Sequence, residues 1–265
     1  MTTQASPRKT RGADKYKPDR ASDSAGIVGI LGGMGPLATI DFMRKMLEAT
    51  PATTDQDHVP VVVSSIPQVP DRTLAFRGEG ASPLEAMLHS GRRLVDAGAG
   101  LVVIPCNTAH LWYDAVQQSI GLPMLHLVDA ALEDALALTG GTAPIGLLAT
   151  DATLASGLYL NRSTTSTNPT LRVQWLLPTA GEMLNLVMPG IAAVKAGQVE
   201  RATELLAEAA MALGKRGAQA LILGCTEIPV ALSSKTSPLP AIDATKALAN
   251  RAVAWSAAQR QTHGH

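Results

Sequence analysis

VVIPCNTAH at residues 102–110 and LILGCTEIP at residues 221–229 are two versions of one pattern, a short apolar run that stops at a cysteine followed by small hydroxyl or amide residues. A buried β-strand that delivers a thiol to its C-terminal tip, with polar groups just beyond, has this composition. Cys106 and Cys225 are the only two cysteines of the chain. Outward from them, apolar runs of strand length alternate with helical patterns, which means βαβ units and mostly parallel sheets.

Upstream, a strand over Ile27–Leu31 enters the turn Gly32-Gly33-Met34-Gly35-Pro36, and a helix is expected from Leu37 to Ala49 with Ile40, Met43 and Leu47 on one face. Proline just inside a helix start, with glycines before it, suits a strand–turn–helix unit. Such a turn lets backbone N–H groups approach a ligand, and the helix N-terminus favours an anion. It matches neither G-x-G-x-x-G with a later acidic residue nor G-x-x-x-x-G-K-[ST], so dinucleotide binding is not expected. A second strand, Val59–Ser65, runs into Pro67 and Pro70, and two prolines so close place Arg72 on a loop beyond a strand tip. Ser82, Pro83 and Glu85 read as N-cap, first helical residue and capping-box partner. Leu84, Met87, Leu88, Leu94 and Val95 then share a helical face that ends at Gly98 and leads into the strand Leu101–Ile104.

Beyond Cys106 the pattern predicts a helix near Ala109–Gln118, a strand near Met124–Leu127 and a helix near Ala130–Leu138. A strand at Ile145–Leu148 enters Ala149-Thr150-Asp151-Ala152-Thr153, another turn into a helix, and Arg172–Leu177 reads as a further strand. Helices over Gly181–Lys195 and Val199–Lys215 precede the strand Ala220–Leu223; a short strand at Leu239–Ile242 precedes a helix from its N-cap Asp243 to about Gln259.

The two halves echo each other. Gly29 of GILGG lies 77 positions before Cys106, and Gly146 of GLLAT lies 79 positions before Cys225. The expected fold is therefore α/β, with two similar lobes, each a mostly parallel sheet flanked by helices. Residues 26–127 with 243–260 form the first lobe and 128–242 the second, and the site lies in the inter-lobe cleft where strand C-termini face each other.

Composition excludes several classes. Of 265 residues 46% are hydrophobic, which excludes a disordered chain. The balance of 22 basic and 22 acidic residues, with only 3% aromatic, argues against a nucleic-acid surface. No apolar run reaches the roughly 20 residues that cross a bilayer, so no membrane role is expected. Residues 1–25 are basic and polar without an apolar segment, so they read as a disordered tail rather than a signal peptide, and their three aspartates disfavour a transit peptide. A cytoplasmic location, with both thiols reduced, is the default.

A single strand cysteine is ordinarily buried and inert. Here both lie at strand ends before Asn107, Thr108 and Thr226, whose hydrogen bonds, with those of turn amides, favour a thiolate. No cysteine or histidine spacing suits a metal, and Cys-x-x-Cys is absent. A cysteine nucleophile would need a histidine, and His110, four residues past Cys106, points down the element rather than at the strand tip. His58, His89 and His126 have no readable role. What fits is proton transfer at a stereocentre, one sulfur removing a proton from one face while the other delivers one to the opposite face. Asn107, Thr108, Thr226 and backbone amides would stabilise the charge developing on a carboxylate. No lysine motif for a Schiff base is evident, so the route would need no cofactor.

GILGGMGPLAT, VPDRT, IPCNTAH, the 188–197 stretch ending Val-Lys-Ala-Gly, and LGCTEIP together resemble the aspartate/glutamate racemase family, most closely its aspartate racemase branch. The resemblance spans roughly residues 26–256. It implies a two-lobed α/β fold, cofactor-independent racemisation of an amino acid and a homodimer. By motif it makes Cys106 and Cys225 the catalytic bases. It makes Asn107, Thr108 and Thr226 carboxylate and ammonium contacts, and Glu227 the acidic residue beside the second base. Arg72 and Lys195 match basic positions for an acidic substrate, and Met34 and Thr150, in the turns that open the two halves, complete the expected substrate contacts.

Overall fold

The computed structural model describes residues 26–141, 143–165, 173–233 and 235–263. The expected tail at 1–25 and the Arg172 end of the expected strand lie outside them. The first half runs β1 (Val28–Gly32), α1 (Pro36–Ala49), β2 (Val61–Ser65), α2 (Arg72–Arg77), α3 (Leu84–Asp96), β3 (Leu101–Val103), α4 (Tyr113–Ile120) and α5 (Leu127–Thr139). The second runs β4 (Ile145–Ala149), α6 (Asp151–Ala155), α7 (Leu158–Thr165), β5 (Trp175–Leu176), α8 (Ala180–Glu182), α9 (Met188–Lys195), α10 (Val199–Lys215), β6 (Ala220–Gly224), α11 (Ile228–Ala231), β7 (Ala241–Asp243) and α12 (Ala244–His263).

Two sheets result, parallel throughout, with strand orders β2-β1-β3 and β5-β4-β6-β7. The internal echo is structural. In each sheet the strand that opens the half, β1 or β4, is central and pairs directly with the strand that carries the cysteine, β3 or β6. Strands β1, β3, β4 and β6 are buried along their whole length, as continuous apolar runs in a parallel sheet must be. One apolar core joins the sheets: Val28 and Ile30, Ile145 and Leu147, and Leu248 and Ala252 of α12 belong to a single cluster. Helix α12 packs on both α1 and α5. Lys45, 6% exposed, adds a polar pin there, with ion pairs to Asp41 and Asp243 at 2.5 Å each and a hydrogen bond to Thr245 Oγ1 at 2.8 Å. A buried cation is tolerable only when paired in this way.

Several expectations need correction. In α1 the buried face carries Ala38, Phe42 and Met46; of the expected face Met43 packs against the core, while Ile40 and Leu47 are 64% and 56% exposed. Arg72 is not on a loop. It opens α2, whose N-cap Asp71 accepts from the Thr73 and Leu74 amides at 2.8 and 2.9 Å. The stretch 124–127 is no strand: Met124 makes one parallel bridge to Val102, and Leu127 already begins α5. Helix α3 starts at Leu84 rather than Pro83, with Ser82 Oγ accepting from the Leu84 amide at 3.3 Å. The helix expected over 181–195 contains a wide π-turn at Met183–Val187, one residue short of Pro189, whose missing N–H cannot continue an α-helical ladder. The short segment Thr108–Trp112 is a 3₁₀ turn ahead of α4. Asp243 ends β7, yet its Oδ1 accepts from the Thr245 and Lys246 amides, so it caps α12 as expected.

Candidate active site

The turn after β1 is shaped by a close backbone approach. Gly33 has φ +87°, and a β-carbon there would collide with the Ile66 backbone, so no side chain fits. Thr39 Oγ1 accepts from the Gly33 amide at 2.9 Å and donates to the Gly35 carbonyl at 3.0 Å. The turn is thus locked with Met34 against the cleft.

Past β3, Cys106 sits two residues before the 3₁₀ turn. His110 Nε2 accepts from the Leu127 amide at 3.1 Å, so its proton resides on Nδ1, which donates to the Cys106 carbonyl at 2.8 Å. The imidazole therefore fixes the cysteine loop and does not face the thiol, as its spacing implied. Burial pushes the His110 pKa down to about 4 and, with the neighbouring His110, that of His126 down to about 2. Both lie below the unfolded value of 6.5, so the unfolded chain takes up these protons first as pH falls. The stabilisation is complete above pH 6.5 and is lost on the way down to the folded values; His110 alone accounts for about 3 kcal/mol by linkage. Thermal unfolding followed from neutral pH to about pH 4 is expected to show a falling melting temperature that His110→Gln blunts; an invariant wild-type melting temperature contradicts this.

Past β6, Cys225 Sγ donates to Glu227 Oε2 at 3.0 Å, and Thr226 Oγ1 donates to the same oxygen at 3.3 Å. At the junction of the halves, Thr108 Oγ1 lies 3.1 Å from Thr150 Oγ1 and 3.0 Å from Thr153 Oγ1, and Thr150 and Thr153 are 3.0 Å apart. This hydroxyl triangle ties the first cysteine loop to the N-terminus of α6, which Thr150 caps.

All ten residues singled out in the sequence line one cleft. Cys106, Asn107 and Thr108 come from the loop after β3, and Cys225, Thr226 and Glu227 from the loop after β6. Met34, Arg72, Thr150 and Lys195 complete the wall. Asp71 and Thr73 also line it and were not singled out; the N-cap position of Asp71 beside Arg72 was the available signal. Thr153, at the third position after Thr150, was missed although Thr-x-x-Thr after a strand reads as a cap pair.

The cleft is electrostatically asymmetric. Burial pushes the Cys106 thiol up, against the opposing pull of Arg72 and the Ala109 amide. Burial also pushes Cys225 up, and there the Glu227 carboxylate drives it higher still, well above the usual thiol range. The proton is held more firmly on Cys225 than on Cys106. Burial would raise Asp71, but the Leu74 and Thr73 amides and the Arg72 and Lys195 charges outweigh it and hold the carboxyl low. Arg72 Nη1 donates to the Val69 and Pro70 carbonyls at 3.2 and 3.0 Å, while its Nε is buried without a partner among the described residues. The arrangement offers two thiols at equivalent strand tips, hydroxyl and amide donors in the same cleft, and two cations.

Two parallel α/β sheets with a two-thiol cleft define a racemase-type fold, and the chain belongs to the Asp/Glu/hydantoin racemase family, whose model matches residues 31–252. It is an isomerase of the racemase class. Among solved structures it is similar to the Picrophilus torridus aspartate racemase, at 31% identity and a TM-score of 0.76, covering 87% of this chain and 94% of that one. It is also similar to the broad specificity amino-acid racemase RacX of Bacillus subtilis, at 24% identity over 86% of this chain and 96% of that one. The glutamate racemase of Limosilactobacillus fermentum is 25% identical over 84% of this chain and 77% of that one.

Proposed function

We propose that the protein interconverts L- and D-aspartate by cofactor-independent proton transfer between Cys106 and Cys225. The observation that carries this reading is the meeting of both strand-tip thiols in one cleft with a guanidinium and an ammonium. The similarity to an aspartate racemase over most of both chains supports the substrate.

In this mechanism Cys106, whose proton Arg72 makes easier to remove than that of Cys225, acts as the base in its thiolate form, and Cys225, held by Glu227, acts as the thiol. With one enantiomer bound, the Cys106 sulfur takes the α-proton and its electron pair stays on the α-carbon, delocalised into the carboxylate. Cys225 then delivers its proton to the opposite face. The sulfurs end with exchanged protonation, so the other enantiomer starts from the product-side state, and the pair resets when Cys106 releases its proton to solvent and Cys225 takes one up. Asn107, Thr108 and Thr226 donate to the carboxylate as negative charge grows there. Arg72 and Lys195 pair with the side-chain carboxylate, and Met34 and Thr150 complete the wall around the substrate.

A second reading, racemisation of glutamate or another small amino acid, is favoured by the similarity to RacX and to glutamate racemases. Chiral chromatography after incubation with a panel of L-amino acids separates the two. Aspartate as the best substrate is expected, and conversion of another amino acid with higher kcat/KM rejects it.

We further propose a cytoplasmic homodimer, formed on the exposed apolar face of α1 (Leu37, Ile40, Leu47) beside the edge strand β2. Light scattering is expected to give twice the chain mass of 27.5 kDa, and a monomer mass contradicts it.

A further inference from the structure

Asn107 is 2% exposed, and its two amide ends are treated differently. Its Oδ1 accepts a 2.5 Å hydrogen bond from the Tyr159 hydroxyl, while its Nδ2 is buried with no partner among the described residues. A buried NH₂ left unpaired is destabilising, an arrangement that makes sense where a ligand supplies the acceptor. The cleft that Asn107 lines is the place for that ligand. Tyr159 is fully buried on α7, its ring edge-on to Trp175 with centroids 6.1 Å apart. Burial pushes its phenol far up, so the hydroxyl stays protonated and remains a donor. A donor aimed at the carboxamide selects Oδ1, and Nδ2 must then turn the other way. The tyrosine belongs to the second half and the asparagine to the cysteine loop of the first, so one half sets the donor geometry of the other.

We propose that Tyr159 is a positioning residue: it fixes the Asn107 carboxamide so that Nδ2 donates to the α-carboxylate of the amino-acid substrate. The inference rests on the racemase reading above. The carboxylate gains negative charge as the α-proton leaves, so a correctly aimed donor is worth more in the transition state than in the bound substrate. Losing the alignment therefore lowers kcat more than it raises KM.

Tyr159→Phe keeps the ring and its contact with Trp175 and removes only the hydroxyl. Steady-state racemisation is expected to show kcat reduced about tenfold or more with KM changed less than about threefold. In the double variant with Asn107→Ala, the Tyr159→Phe change is expected to add less than about twofold, because it acts only through the carboxamide. A general loss of folding would instead multiply with the Asn107→Ala loss. Wild-type kinetics in Tyr159→Phe, or independent multiplying losses in the double variant, overturn the inference while leaving the racemase reading intact. A wild-type enzyme that racemises no acidic amino acid overturns both.

Discussion

Cys106→Ser and Cys225→Ser are each expected to reduce racemisation by about 10³-fold or more, the full scale of an acid–base catalytic contribution. A serine hydroxyl nearly matches the thiol in size but is a far weaker acid, so it neither forms the base nor delivers a proton at neutral pH. The two losses should not multiply, because inversion needs both faces served and either variant already stops it. Folding should survive, since both side chains line a polar cleft and the hydroxyl introduced by Cys225→Ser would keep a donor beside Glu227. Circular dichroism and melting temperature check that point. Wild-type turnover in either single variant would reject the two-base assignment.

Arg72→Leu carries the next largest effect, a fall in kcat/KM for aspartate of about 10²–10³-fold, the scale of truncating one partner of a buried charge pair. Two losses combine. The substrate's side-chain carboxylate loses a partner, which raises KM. Cys106 also loses the cation that opposes the effect of burial, so its thiolate forms only at higher pH. The sign follows directly: removing a positive neighbour raises a thiol pKa, and the acidic limb of the kcat/KM profile should move to higher pH. Arg72→Lys keeps the charge without the fork and should retain an intermediate rate. A variant with unchanged KM and an unmoved pH profile would remove Arg72 from both roles.

Much of this site was legible in the sequence, because chemistry at the tips of parallel strands has a readable signature. Apolar runs ending at Cys106 and Cys225 marked the strands, and their spacing from Gly29 and Gly146 matches the pairing of β1 with β3 and β4 with β6. Thr150 and Met34 followed from the turns that open each half. What escaped depends on packing across the chain. Ile40 and Leu47 have helical spacing, but only the position of α12 decides which face of α1 is covered. Prolines around Arg72 suggested a loop because the capping power of Asp71, which starts α2 at once, was not weighed against them. The short β5 and the bridge at Met124 are edge features whose length is set by neighbouring strands. Tyr159 carried no local signal, since its meaning comes from a partner 52 residues away.

The central claim is that two sulfurs serve opposite faces of one carbon, and isotope transfer tests it most directly. L-Aspartate incubated with the enzyme in D₂O, stopped early and resolved by chiral chromatography with mass detection, reports where solvent hydrogen enters. Two-base transfer predicts that the D-aspartate formed carries deuterium at the α-carbon while the remaining L-aspartate does not. Deuterium entering recovered L-aspartate as fast as D-aspartate forms would point to a single base, and the absence of exchange with every acidic amino acid would contradict the account altogether.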